Sequence, residues 1–234
     1  MNRILLALDV ESAEQATTLA DAVRGTVGGV KIGKQLFTAE GPMVVRALAE
    51  RGDRVFLDLK FHDIPNTVAG AVASAVATGA WMVNVHASGG RKMMEAAAEA
   101  SANTAARLGR QRPLVIAVTV LTSLDEEQLR ETGVTAALLD HVVHLAALAQ
   151  QSGLDGVVAS PQEIVAIRRA CGPDFLVVTP GIRTHTNAPA KDDQSRTMGP
   201  AEAVAAGASY LVIGRPITAA ANPRAAAQDI ARQT

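Results

Sequence analysis

The chain is short of cysteine, aromatic residues, excess charge and long hydrophobic runs, and each shortage narrows what it can be. Cys171 is the single cysteine, so no internal disulfide can staple the fold. One Trp, one Tyr and four Phe bring aromatics to 3%, against a hydrophobic content of 48%. The core must therefore be built from Ala, Val, Leu and Ile, which suits parallel strands covered by helices. The 22 Lys plus Arg against 23 Asp plus Glu leave a net charge of −1. No global field attracts nucleic acid or anionic lipid, and any anion site must be local. No run approaches the roughly 20 apolar residues that cross a bilayer. The apolar run at 4–8 is ended by Asp9, too soon for a signal peptide. These features predict a soluble cytoplasmic protein with no membrane or nucleic-acid partner.

What is present is alternation. Short apolar, β-branched runs take turns with Ala-rich segments of helical period, the pattern of βα units and a parallel sheet. Eight such runs are ILLALD (4–9), GVKIG (29–33), RVFLDLK (54–60), WMVNVH (81–86), PLVIAVTVL (113–121), GVVAS (156–160), FLVVTPG (175–181) and YLVIGR (210–215). An open doubly wound sheet shares this alternation. Eight units in 234 residues, close to the roughly 250 typical of a (β/α)8 barrel, favour closure into one TIM-barrel domain over residues 1–234. Ser12 and Ser160 are candidate N-caps, with Pro161 suited to the first helical position, and Gly52, Gly79 and Gly109 mark helix ends. Residues 182–198 lack periodicity, and a connection of that length reads as a lid over a binding site.

Function in either α/β architecture is expected at the carboxyl ends of the strands, and there the chain is polar: Asp9, Lys31, Asp58, Lys60, His86, Thr122, Arg183 and Arg215. Asp58 and Lys60 are two apart, so strand alternation directs both to one face, with Leu57 and Leu59 on the other. Burying a lone charge costs several kcal/mol. Alternating Lys31, Asp58, Lys60 and Asp63 would satisfy one another at a barrel mouth. One such pair could merely close the top of the barrel; four charges beside a lid and a phosphate site point to chemistry. Loops after the seventh and eighth strands of barrels commonly bind phosphate, and Arg183, Gln194, Gly214 and Arg215 lie in them, offering guanidinium forks and backbone donors to a dianion.

The segments LALDV, VKIGKQLFTAEGP, DLKFHDIPNT, VNVHASGG, VTVLTS, TPGIR, DDQSR and VIGRPIT together resemble the bacterial type of the orotidine 5′-monophosphate decarboxylase family, over nearly the whole chain. The DxKxxDIPNT run is the most specific of them. That resemblance implies decarboxylation of orotidine monophosphate to uridine monophosphate without cofactor or metal. Lys60 is then the general acid that protonates carbon 6, and Lys31, Asp58 and Asp63 complete a charged tetrad. It also implies a homodimer in which Asp63, Ile64 and Thr67 reach into the other subunit's site. Asp9 and Lys31 would address the ribose hydroxyls, and Thr122, beside Ser123, the pyrimidine edge.

Other polar residues carry less. His141 and His144 are three apart on a helical segment but have no third metal ligand. His86 is a candidate for supporting the site from behind, while His62 and His185 read as solvated loop residues. Cys171 has no base beside it, and the 126–131 run EEQLRE reads as a solvated face. Two rivals remain: a metal-dependent sugar-phosphate decarboxylase or aldolase sharing the Asp-x-Lys-x-x-Asp pattern, and a non-catalytic nucleotide-binding barrel.

Overall fold

The computed structural model describes residues 2–183 and 197–234. Eight parallel strands, β1 (Ile4–Ala7), β2 (Gly29–Gly33), β3 (Val55–Phe61), β4 (Met82–His86), β5 (Leu114–Val118), β6 (Gly156–Val158), β7 (Leu176–Thr179) and β8 (Tyr210–Ile213), close in sequence order into a barrel. The seam is the parallel pairing of β1 with β8, in which Leu5 lies against Val212. Each expected apolar run holds one strand. However, β1, β5, β6, β7 and β8 end two or three residues before the run does. Those last residues leave the ladder to build the mouth.

Around the barrel run α1 (Ala13–Val23), α2 (Lys34–Glu40), α3 (Met43–Glu50), α4 (Pro65–Ala77), α5 (Arg91–Arg107), α6 (Glu126–Glu131), α7 (Leu138–Gln151), α8 (Ile164–Cys171), α9 (Pro200–Ala206), α10 (Arg215–Thr218) and α11 (Pro223–Ala231). Ser12 caps α1, its hydroxyl accepting the Gln15 N–H at 3.3 Å. The chain turns away at Gly52, Gly79 and Gly109 with φ of 84°, 89° and 60°, left-handed values that glycine adopts without a Cβ clash. Ser160 opens a 3-10 turn, Pro161–Glu163, before α8 starts. The 126–131 run forms α6, capped by Asp125 and buried only at Leu129, so its charged face is solvated as expected.

Strand alternation splits the core in two. Residues such as Ile4, Leu6, Val30, Leu57 and Val83 pack outward against the helices. Leu5, Phe56, Met82, Ile116 and Val178 point inward and fill the barrel, each contributing roughly 1.5–3 kcal/mol by burial. Near the amino ends of the strands, Trp81 and Tyr210 meet edge to face at 5.4 Å. Continuing each inward series by two residues leads from this apolar plug to the mouth: Leu5 to Ala7 and Asp9, Phe56 to Asp58, Met82 to Asn84. The filled interior is the floor of the site.

Candidate active site

The mouth encloses a cavity of about 590 Å³. Phe56, Val118, Val158 and Val212 form its apolar floor. Of the residues singled out from sequence, Asp9, Lys31, Asp58, Lys60, Thr122, Arg183, Gly214 and Arg215 all line it. Eight residues from strands one, two, three, five, seven and eight thus converge on one volume.

Four of them form a chain of alternating charge. Asp9 Oδ1 lies 2.9 Å from Lys31 Nζ, Lys31 Nζ lies 3.5 Å from Asp58 Oδ2, and Asp58 Oδ1 lies 2.6 Å from Lys60 Nζ. The Lys31, Asp58 and Lys60 side chains are only 10%, 13% and 24% exposed. Removal of these ions from water is unfavourable by several kcal/mol each, and the alternation of sign offsets it. Asp9, 58% exposed, ends the chain toward solvent.

Regular alternation along β3 does not extend to Lys60. The pairing of β3 with β4 slips between Leu57 and Phe61, and Lys60 sits at φ 55°, the only non-glycine residue with positive φ among those described. A side chain with a Cβ is disfavoured there by roughly 1–2 kcal/mol. The bulge leaves the ammonium in the mouth all the same, through a turned backbone and not through the simple two-residue repeat. The Lys60 N–H so turned donates to Asn84 Oδ1 at 2.8 Å, and Asn84 Nδ2 donates to Asp58 Oδ1 at 2.7 Å.

Asn84 and Gly33 went unremarked in the sequence. Asn84 is fully buried in β4. An amide flanked by valines within MVNVH was the available signal, since buried amides need partners. Gly33 is small for a reason: a Cβ there would stand 2.9 Å from Lys31 Nζ and 3.2 Å from Asp9 Oδ1. Nothing in GVKIG announces that close approach.

His86 ends β4 with its ring 5.6 Å from that of His62. Burial first, then the neighbouring His62, Lys60 and Lys34, push its pKa down to about 4, only partly opposed by Asp58. It therefore stays neutral and adds no positive charge beside Lys60. His62 itself is exposed.

Other expected residues are not brought to this cavity. Asp63, Ile64 and Thr67 are exposed at the start of α4 and do not line the cavity; the Asp63 carboxylate accepts the Ile64 N–H at 2.6 Å. Ser123 is exposed and also outside it. Gln194 and His185 lie outside the described residues, as does most of 182–198. Its described ends, Ile182 and Met198, are bridged in parallel, with the Arg183 N–H donating to the Met198 carbonyl at 3.0 Å. Cys171 closes α8, where burial raises its thiol pKa. His141 is lowered by burial and then by His144. Among the described residues no three His, Cys, Asp or Glu side chains gather as a metal site.

The family model described as orotidine 5′-phosphate decarboxylase / HUMPS family matches residues 2–230. The chain belongs to that family. The orotidine 5′-phosphate decarboxylase of Moorella thermoacetica is 54% identical over 233 residues, covering 99% of this chain and 92% of its own. That of Chromohalobacter salexigens is 54% identical over 232 residues, covering 98% and 94%. The crystal structure of orotidine 5′-phosphate decarboxylase from Lactobacillus acidophilus superposes with a TM-score of 0.88 at 35% identity, covering 100% of this chain and 99% of that one. An uncharacterized conserved protein from Geobacillus kaustophilus superposes at 0.84 with 42% identity, covering 98% and 99%. Membership of the orotidine 5′-phosphate decarboxylase / HUMPS family thus rests on whole-chain similarity.

Proposed function

We propose that the chain decarboxylates orotidine 5′-monophosphate to uridine 5′-monophosphate and carbon dioxide, the step that forms UMP in pyrimidine biosynthesis, with Lys60 as the acid. The observation that carries the assignment of Lys60 is its ammonium, 2.6 Å from Asp58 in the mouth of the barrel. Cleavage of the bond between carbon 6 and the carboxylate leaves its electron pair on carbon 6, in the ring plane, where π delocalisation cannot absorb it. A fixed ammonium stabilises that charge and delivers its proton to form the C6–H bond; the neutral amine then regains a proton from water. Asp58 holds the Lys60 ammonium in place, and Lys31 holds the other oxygen of Asp58.

In this reading Asp9 and Lys31 bind the ribose hydroxyls, Thr122 the pyrimidine edge, and Arg183, Gly214 and Arg215, with Gln194, the phosphate. The working unit is a cytoplasmic homodimer of single-domain subunits, residues 1–234, in which Asp63, Ile64 and Thr67 serve the other subunit's cavity. Support comes from their exposure outside their own cavity, with apolar Ile64 67% exposed. No described helix is long and apolar enough to cross a membrane. The metal-dependent sugar-phosphate alternative is not favoured, because relatives at 54% identity carry the decarboxylase name.

The test is the loss of orotidine monophosphate absorbance on adding pure protein, with and without chelator. Equal turnover in both is expected; loss of turnover in chelator would return the metal-dependent reading.

A further inference from the structure

We infer that Asn84 is a positioning residue for this reaction: its carboxamide ties the backbone of Lys60 to the carboxylate of Asp58 and so sets where the ammonium stands. The inference rests on the decarboxylase reading for its kinetics, but not for its geometry. The Asn84 side chain is fully buried, and both its ends are used. Its oxygen accepts from the Lys60 N–H at 2.8 Å and its nitrogen donates to Asp58 Oδ1 at 2.7 Å. A backbone N–H can only donate and an ionised carboxylate can only accept, so the amide has one permitted orientation. An aliphatic residue supplies neither bond and an ionised Asp supplies only the first.

One bond acts on the backbone of the acid and the other on the carboxylate that holds its tip. Lys60 occupies a left-handed backbone at φ 55°, and the N–H held by Asn84 is the one that this turn presents to β4. Asp58 Oδ1 receives Asn84 and the Lys60 ammonium together, while Oδ2 faces Lys31. The carboxylate is thereby fixed in rotation, and the ammonium is held at both its backbone root and its tip. Placement at this level decides rate: a misplacement of about 1 Å can lower turnover by about 10²-fold.

The experiment compares Asn84→Ala, Asn84→Ser and Asn84→Asp with wild type and with Lys60→Ala. In Asn84→Ala, kcat should fall by about 10²-fold while KM moves little, because Asn84 lines no part of the cavity. Asn84→Asp keeps the acceptor for Lys60 but sets a second carboxylate beside Asp58. Lys60 and Lys31 pair with Asp58, Lys31 also pairs with Asp9, and His86, which feels Asp58, Lys60, His62 and Lys34, stands beside them. One proton shared between the two carboxylates restores the donor, so the kcat of Asn84→Asp relative to wild type should rise as pH falls. The same ratio for Asn84→Ala should stay flat. A crystal structure of the alanine or serine variant should show Lys60 out of its left-handed backbone or its Nζ withdrawn from Asp58. A folded Asn84→Ala enzyme within threefold of wild-type kcat would overturn the inference, and so would unmoved Lys60 and Asp58 in the crystal. Inactivity of the wild type on orotidine monophosphate would instead overturn the decarboxylase reading, leaving the crystallographic comparison to judge Asn84.

Discussion

Lys60 combines two burdens, a charge in a cavity wall and a backbone conformation that side chains avoid. Its removal should abolish turnover: Lys60→Ala is expected to lose more than about 10³-fold in kcat while keeping its circular dichroism spectrum. Near-normal turnover in the folded variant would remove it from the chemistry. The strain has its own signature. Lys60→Ala and Lys60→Gly lose the same ion pair and differ in the Cβ that sits at φ 55°. The glycine variant should therefore be the more stable of the two by about 1 kcal/mol in urea denaturation, against the usual order for these residues. The charges of DLKFHD were legible in the sequence because ionisable residues closing an apolar run have few other uses. The left-handed turn was not, since no local propensity favours it for lysine. Asn84 was hidden for a related reason, in that one amide within a strand resembles an ordinary polar interruption until its two partners are known.

His86 yields a prediction of a different kind at the same scale. The unfolded imidazole takes a proton near its ordinary 6.5, whereas the folded one resists until about 4. Between those values the unfolded chain binds more protons, so this residue's contribution is fully present above 6.5 and is lost as pH falls toward 4. His86→Asn should flatten the decline of the urea midpoint over that window. An unchanged slope would mean that His86 is protonated in the folded protein after all.

At the scale of elements, the early ends of the strands matter most. The sequence showed where each apolar run lay, but hydrophobicity alone does not tell a residue in the ladder from one that has left it to line a pocket. Pro180, Gly181 and Ile182, beyond the end of β7, line the cavity with Arg183, and Gly214 and Arg215 do so beyond β8. The bridge from Ile182 to Met198 holds the two ends of the 182–198 connection together at this side of the mouth. That location agrees with the phosphate grip proposed for Arg215. Arg215→Ala should then lose at least about tenfold in kcat/KM on orotidine monophosphate and little on the bare nucleoside, which never used the contact. Equal fractional losses on the two substrates would assign Arg215 to the fold or the chemistry instead.

For the whole molecule, barrel closure was readable from the count of βα units, while assembly was implied only by the family resemblance, because a surface helix start looks alike whether it meets water or another subunit. Mixing decides it. If Asp63 completes the neighbouring site, inactive Lys60→Ala and Asp63→Ala proteins should regain activity on subunit exchange. With random pairing, about a quarter of all sites would then be wild type, since half the dimers are mixed and each carries one intact site. No recovery, with exchange verified by native mass spectrometry, would leave each subunit to work on its own residues.

The cavity walls hold Lys31, Lys60, Arg183 and Arg215 against Asp9 and Asp58, an excess of two positive charges in a chain whose net charge is −1. The remainder of the chain accordingly sums to a net negative charge of three, and the two surplus positive charges stand together at the mouth. Such a local surplus attracts an anion over about a Debye length from the mouth, whatever the net charge of the chain. Encounter with a phosphorylated nucleotide should slow as added salt shortens the Debye length below the size of the protein, whereas encounter with an uncharged nucleoside should not respond.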